Sequence, residues 1–87
     1  MNTNFKYEIQ EHIGTICTWD NGRYSLEVNL ISYNDAPAKV DIRRWNKETN
    51  TMMKGITMTI QQAVNLGEIL LGLKETDENS SPEGGGS

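Results

Sequence analysis

Cysteine and histidine each occur once in these 87 residues, and proline twice. The lone Cys17 cannot close an internal disulfide, so no covalent staple holds the chain, and a reducing compartment is expected. His12 and Cys17 together fall short of the four ligands of a zinc site. A single histidine could serve only one nucleophile–base set, and no such set is visible. Glu8 and Glu11, read by strand parity, point to opposite faces and make a poor catalytic pair. No glycine-rich loop opens a helix, and Lys54-Gly55 alone is not a phosphate loop. No apolar run approaches the roughly 18 residues of a membrane span. Met1-Asn2-Thr3-Asn4 lacks the basic-then-apolar pattern of a signal peptide. The expectation is one small cytoplasmic domain, not an enzyme, with no cofactor, metal or small-molecule substrate. A domain this short buries only roughly 60% of its unfolded surface. Oligomerisation is the remaining route to more buried area.

An excess of positive charge is also missing: the formal net charge is −4. Its distribution matters more than its total. Residues 74–87 hold four acids against Lys74, and residues 1–73 hold eight acids against seven bases. Residues 33–54 hold Lys39, Arg43, Arg44, Lys47 and Lys54 against Asp35, Asp41 and Glu48, a local net of +2.

What is present is alternation. Phe5 to Trp19 reads as a long strand, with Phe5, Tyr7, Ile9 and Ile13 on one parity and Lys6, Glu8, Gln10 and His12 on the other. The apolar parity shifts at Ile16, which predicts a bulge near Gly14. Asp20-Asn21-Gly22 is a hairpin signal, because such turns need positive φ. Arg23 to Ser32 alternates Tyr24, Leu26, Val28 and Leu30 with Ser25, Glu27, Asn29 and Ile31. After the loop Asn34-Asp35-Ala36-Pro37, a third strand runs from about Ala38 to Trp45, with Val40 and Ile42 inward. A fourth runs from about Met52 to Met58, where Met52, Met53 and Met58 read as packing. Thr59 with Gln62 three residues on forms a capping box. A helix then runs from Ile60 to Leu71 or Leu73. Residues 74–87 are polar and Gly/Ser-rich, and an unstructured tail is expected there.

The helix is apolar over too wide an arc. At 100° per residue its apolar sector spans roughly 220°, where a helix covering one core needs about 100° or more. One sheet cannot cover that sector. A homodimer is expected, with Leu66, Ile69, Leu70 and Leu73 at the interface.

In the third strand, Lys39, Arg43 and Trp45 share one parity, read as facing water. Cations beside an aromatic ring suit single-stranded nucleic acid: the cations meet phosphates and the ring stacks a base. Arg43 could instead pair with Asp41 or Glu27. Trp19, beside the hairpin, could stack or cap the core. Lys6, Arg23 and Lys47 read as surface charges with a peripheral role at most. His12 reads as a surface histidine, and Cys17 as a small strand filler.

Four segments occur in the same order as in small bacterial YdbC-type proteins. They are Glu11-His12-Ile13-Gly14, Val28 to Asn34, Lys39-Val40-Asp41-Ile42-Arg43-Arg44-Trp45 and Lys54-Gly55-Ile56-Thr57-Met58-Thr59. Those proteins resemble the C-terminal domain of the eukaryotic transcriptional coactivator positive cofactor four. The resemblance covers residues 5–73. It implies an α+β domain, four antiparallel strands followed by one helix (ββββα), forming a homodimer. It also implies single-stranded DNA binding with little sequence preference. On that resemblance Arg43 and Lys54 contact the phosphate backbone, Trp45 stacks, Tyr33 lies near a second aromatic position, and Lys39 is the basic residue before the third strand. Arg44 departs from the pattern, standing where an acid is expected.

The expectation is therefore a single-stranded DNA-binding domain over 1–73, with Lys39, Arg43, Arg44, Trp45, Lys54, Tyr33 and Trp19 as its interface. RNA stays open, since stacking and phosphate contact do not read the sugar. A role in transcription, repair or replication would rest on analogy. The rival reading is a dimeric protein-interaction module that binds no nucleic acid.

Overall fold

The computed structural model describes residues 6–80, with side chains described as far as residue 73. Four strands form one antiparallel sheet in sequence order: β1 (Tyr7–Trp19), β2 (Tyr24–Tyr33), β3 (Lys39–Asn46) and β4 (Thr51–Met58). A single helix, α1 (Ile60–Ser80), follows. This is the ββββα order expected from the sequence.

Local chemistry explains the joints. Asp20, Asn21 and Gly22 all take positive φ, which asparagine, aspartate and above all glycine tolerate. That closes the β1–β2 hairpin, with Gly22 N–H donating to the Trp19 carbonyl at 3.2 Å. Thr59 caps α1 reciprocally. Gln62 N–H donates to Thr59 Oγ1 at 3.1 Å, and Thr59 N–H donates to Gln62 Oε1 at 2.9 Å. The helix continues past the expected end at Leu73 to Ser80. The expected unstructured tail thus begins on helical backbone, and its last part, 81–87, lies outside the described residues.

β1 departs most from simple alternation. Its pairing with β2 shifts at three places, between Ile9 and Glu11, between His12 and Gly14, and between Thr15 and Cys17. Three β1 residues therefore repeatedly oppose two of β2. The expected bulge at Gly14 is the middle one. Each bulge bends the strand and adds twist, so β1 coils. Register now sets the faces. Tyr7, Ile9, His12, Thr15 and Thr18 align with Tyr33, Ile31, Asn29, Glu27 and Ser25. His12 thus shares a face with Tyr7 and Ile9, not with Lys6. Glu8 and Glu11 pair with Ser32 and Leu30, so they share one face, contrary to the parity reading. Cys17 is exposed rather than filling the strand.

The two faces of the sheet differ in an unexpected direction. Along β2 the polar residues Ser25, Glu27 and Asn29 are buried, while Leu26, Val28 and Leu30 opposite them are only half-buried. The polar face closes on itself because the sheet coils. The apolar face carries α1, which approaches Val28, Leu30 and Val40 with Ile60, Ala63 and Val64 and leaves an open apolar groove of about 310 Å³. Ile56, Ile69, Leu71 and Leu73 stay well exposed.

Candidate nucleic-acid interface

The polar face begins with β2 and β3 in register: Ser25 opposite Trp45, Glu27 opposite Arg43, Asn29 opposite Asp41 and Ile31 opposite Lys39. Lys39, Arg43 and Trp45 share this face, as the alternation predicts. Their exposure differs from the prediction. Lys39 is exposed and has no ion-pair partner among the described residues. Trp45 is 2% exposed. Its reading as a water-facing ring is therefore corrected. β1 and β3 are not neighbours, yet the Tyr7 ring lies 6.1 Å from that of Trp45. The coiled sheet has brought one corner over its middle, and Lys47 Nζ lies 5.8 Å from the centre of the indole. Trp45 Nε1 has no hydrogen-bond partner there.

Arg43 is held by several partners on this face. Its Nε and Nη2 donate to the two carboxylate oxygens of Asp41 at 2.9 and 2.7 Å. Nη2 also donates to the Tyr33 hydroxyl at 3.3 Å, and Nη1 to the Met53 carbonyl at 2.8 Å. A guanidinium has five N–H groups, and these contacts take most of them. Asp41 is fully buried and accepts a further hydrogen bond from the Tyr33 hydroxyl at 2.6 Å. Asp41's hydrogen bonds hold Arg43 above its already high pKa, against the effect of burial. Burial, then the bond to Asp41, pushes Tyr33 up to about 12. The cluster ties β2, β3 and β4 together. Gly55, opposite Arg43, is part of it: a Cβ there would collide with Arg43 Cβ and crowd the Ile42 carbonyl. The glycine of Lys54-Gly55-Ile56 is thus a close-approach residue.

The remaining sequence candidates lie elsewhere. Between Arg43 and Trp45 the β3–β4 register shifts, so Met53 and Lys54 together oppose Arg44. Lys54 is exposed and stands in that bulge, out of alternation with Arg43. Trp19, 38% exposed, stacks on Tyr24 at 5.8 Å, and the Arg44 guanidinium lies 5.8 Å from the same ring. Register puts Trp19, Tyr24 and Arg44 on the face opposite Trp45. Lys6 pairs with Asp35, and Arg23 with Glu48.

A groove of about 450 Å³ runs along the polar face beside this cluster. Its lining is Ile9, His12, Thr15, Thr18, Ser25, Glu27, Asn29 and Lys47. Alternation alone does not gather these residues, because the β1 bulges decide which of them face inward. The polar row of β2 was the visible signal. At the floor, Glu27 accepts from Ser25 Oγ at 2.6 Å and from Asn29 Nδ2 at 3.4 Å, and Lys47 lies 3.0 Å away. Burial opposes its charge, but the hydrogen bonds from Ser25, Lys47 and Asn29 win and hold its pKa below the usual carboxylate value. His12 Nδ1 meets Asn29 Oδ1 at 2.6 Å and lies 3.8 Å from Glu27. Among the described residues no group of three or more histidines, cysteines and carboxylates could hold a metal ion.

A coiled four-stranded sheet with a hydrogen-bonding, ring-bearing concave face and a helix on its apolar side defines a class of small binding domain. Comparison makes the assignment sharper. Residues 22–69 match the family model described as transcriptional coactivator p15 (PC4). The chain is also 41% identical over 70 residues to an uncharacterized protein of Treponema pallidum (strain Nichols), covering 80% of this chain and 81% of that protein. The chain belongs to the transcriptional coactivator p15 (PC4) family, a nucleic-acid-binding family.

Proposed function

We propose that this protein binds single-stranded DNA, with little sequence preference, on the coiled polar face, and that it does so as a homodimer without enzymatic activity. The observation that carries the reading is the groove itself. It has a polar floor with Lys47 in its lining, and the Tyr7–Trp45 rings and the exposed Lys39 stand on the same face of the sheet. Such cations neutralise phosphates and release their condensed counterions, which supplies affinity that falls as salt rises. The buried Glu27 carboxylate repels phosphate, so the strand turns its bases toward the floor and its phosphates toward the rim. Duplex DNA keeps its bases stacked within the helix and has none to offer. In this account Arg43 chiefly fastens the strands, with little hydrogen-bonding capacity left for a phosphate. Lys54 and Arg44 contribute positive charge beyond the groove. RNA shares the bases and phosphates, and preference against it needs a contact to the sugar.

Fluorescence anisotropy with labelled oligonucleotides tests this. A single strand is expected to bind tighter than the same sequence as duplex, with affinity falling steeply between about 50 and 200 mM salt. Equal affinity for both forms would remove the groove mechanism.

The homodimer rests on the uncovered apolar face. Ile13, Ile60 and Val64 are each about half exposed, and Ile69, Leu71 and Leu73 are 71%, 62% and 63% exposed. Monomers rarely leave so continuous an apolar surface bare. Leu66, Ile69, Leu70 and Leu73 are the proposed contact residues. Analytical ultracentrifugation at micromolar concentration is expected to give twice the 9.8 kDa of one chain; a single-chain mass would refute it. The same surface favours the rival reading, a protein-interaction module, if a different partner fills it. Among the described residues no helix is long and apolar enough to cross a membrane. A place in transcription, repair or replication, and in the cytoplasm, follows only from the kinship.

A further inference from the structure

We infer that Tyr7, at the start of β1, is the ring on which a base of the bound strand stacks, with Lys39 holding the neighbouring phosphate. This rests on the single-strand reading above and goes beyond it by naming the ring. Stacking needs an aromatic face that water can reach. Trp45, the ring the sequence favoured, is 2% exposed, with Tyr7 and Lys47 both close to it. Tyr33 is half-buried, and its hydroxyl is tied to Asp41 and Arg43. Trp19 stands on the opposite face, stacked on Tyr24 with Arg44 close to the same ring. Tyr7 is 36% exposed. It joins a cluster of rings, 6.4 Å from Tyr33 and 6.1 Å from Trp45, and among these three described rings it is the most exposed. Its same-face neighbour on β1, Ile9, lines the groove.

The register supplies the cation. Ile9 pairs with Ile31, and Ile31 with Lys39. Lys39 is therefore two strands across and one same-face row along from Tyr7. At ordinary strand spacing and rise that backbone offset is roughly 12 Å, and a lysine side chain shortens it. A base on Tyr7 and its phosphate on Lys39 thus fit one nucleotide. Trp45 acts beneath as the buttress that holds Tyr7 at its angle of 59° to the indole. A rigid ring stacks a base at less entropic cost than a free one.

The test uses the whole protein and a labelled oligothymidylate. Tyr7→Leu keeps apolar bulk over Trp45 but removes the π-face, and is expected to weaken binding about 5- to 150-fold, the loss that goes with one stacked base. Tyr7→Phe keeps the face and is expected to bind within about threefold of the parent. In the unmodified protein, the Tyr7 ring protons are expected to move upfield in NMR spectra as oligothymidylate is added, a readout that does not depend on any variant folding. If the parent binds while Tyr7→Leu binds equally well, or the ring signals stay still, the inference is overturned and the single-strand reading survives. If the parent does not bind, both fall together.

Discussion

Trp45→Ala is expected to lower stability by about 3–5 kcal/mol, the range found when a buried aromatic is cut back to alanine. Domains of this size are held by only about 0.05–0.15 kcal/mol per residue, so most molecules would unfold under mild urea. The cause is position. The indole is 2% exposed, with Tyr7 against it and Lys47 beside it, so its removal leaves a void the size of an indole in a closed site. Trp45→Phe is the informative partner. Phenylalanine fills most of the space, and the lost Nε1–H makes no hydrogen bond that could be missed. It is expected to cost less than about 2 kcal/mol, the scale of a volume-reducing but still aromatic change. Urea unfolding followed by circular dichroism, at one fixed protein concentration because dimers gain stability by mass action, checks both. Near-parent stability for Trp45→Ala would show that the ring is not core.

Asp41→Ala is the second large effect. It strips the Arg43 guanidinium of its paired carboxylate, and the Tyr33 hydroxyl of its acceptor. Arg43 is only 15% exposed and Asp41 not at all. Removing one half of such a pair costs about 3–5 kcal/mol, because the other half stays buried without compensation. Replacing both together is different. Asp41→Leu with Arg43→Met removes two charges at once, and buried pairs exchanged for apolar residues are often neutral or better. The double variant is thus expected to be more stable than Asp41→Ala alone in the same urea assay. If Asp41→Leu and Arg43→Met, each made singly, simply add to give the double, the cluster is not a unit.

These two residues also show what the sequence could and could not convey. Strands, hairpin, cap and helix were legible because each has a local cause: alternation, positive φ at Asp20-Asn21-Gly22, and the reciprocal Thr59–Gln62 bonds. The shared face of Lys39, Arg43 and Trp45 was legible for the same reason. Exposure was not. Alternation says which residues share a face, but not whether that face is open, and the three shifts in β1 close it. A bulge moves every later residue to the other face, so His12 and the Glu8–Glu11 pair were misplaced. The groove's lining is hidden in the sequence for that reason, since it joins β1 residues three apart to β2 residues two apart. The β3–β4 bulge did the same to Lys54. Arg43's partner was an open choice between Asp41 and Glu27. Lys47 took Glu27 and Asp41 took Arg43, a choice made by coiling and not by spacing.

One face of one sheet carries the whole proposal. Backbone amide shifts of labelled protein titrated with a short unlabelled DNA strand show which face answers. The movement is expected at Ile9, His12, Thr15, Glu27, Asn29 and Lys39, with α1 from Ile69 to Leu73 almost still. Shifts confined to the helix and the apolar side of the sheet, with the groove silent, would contradict it.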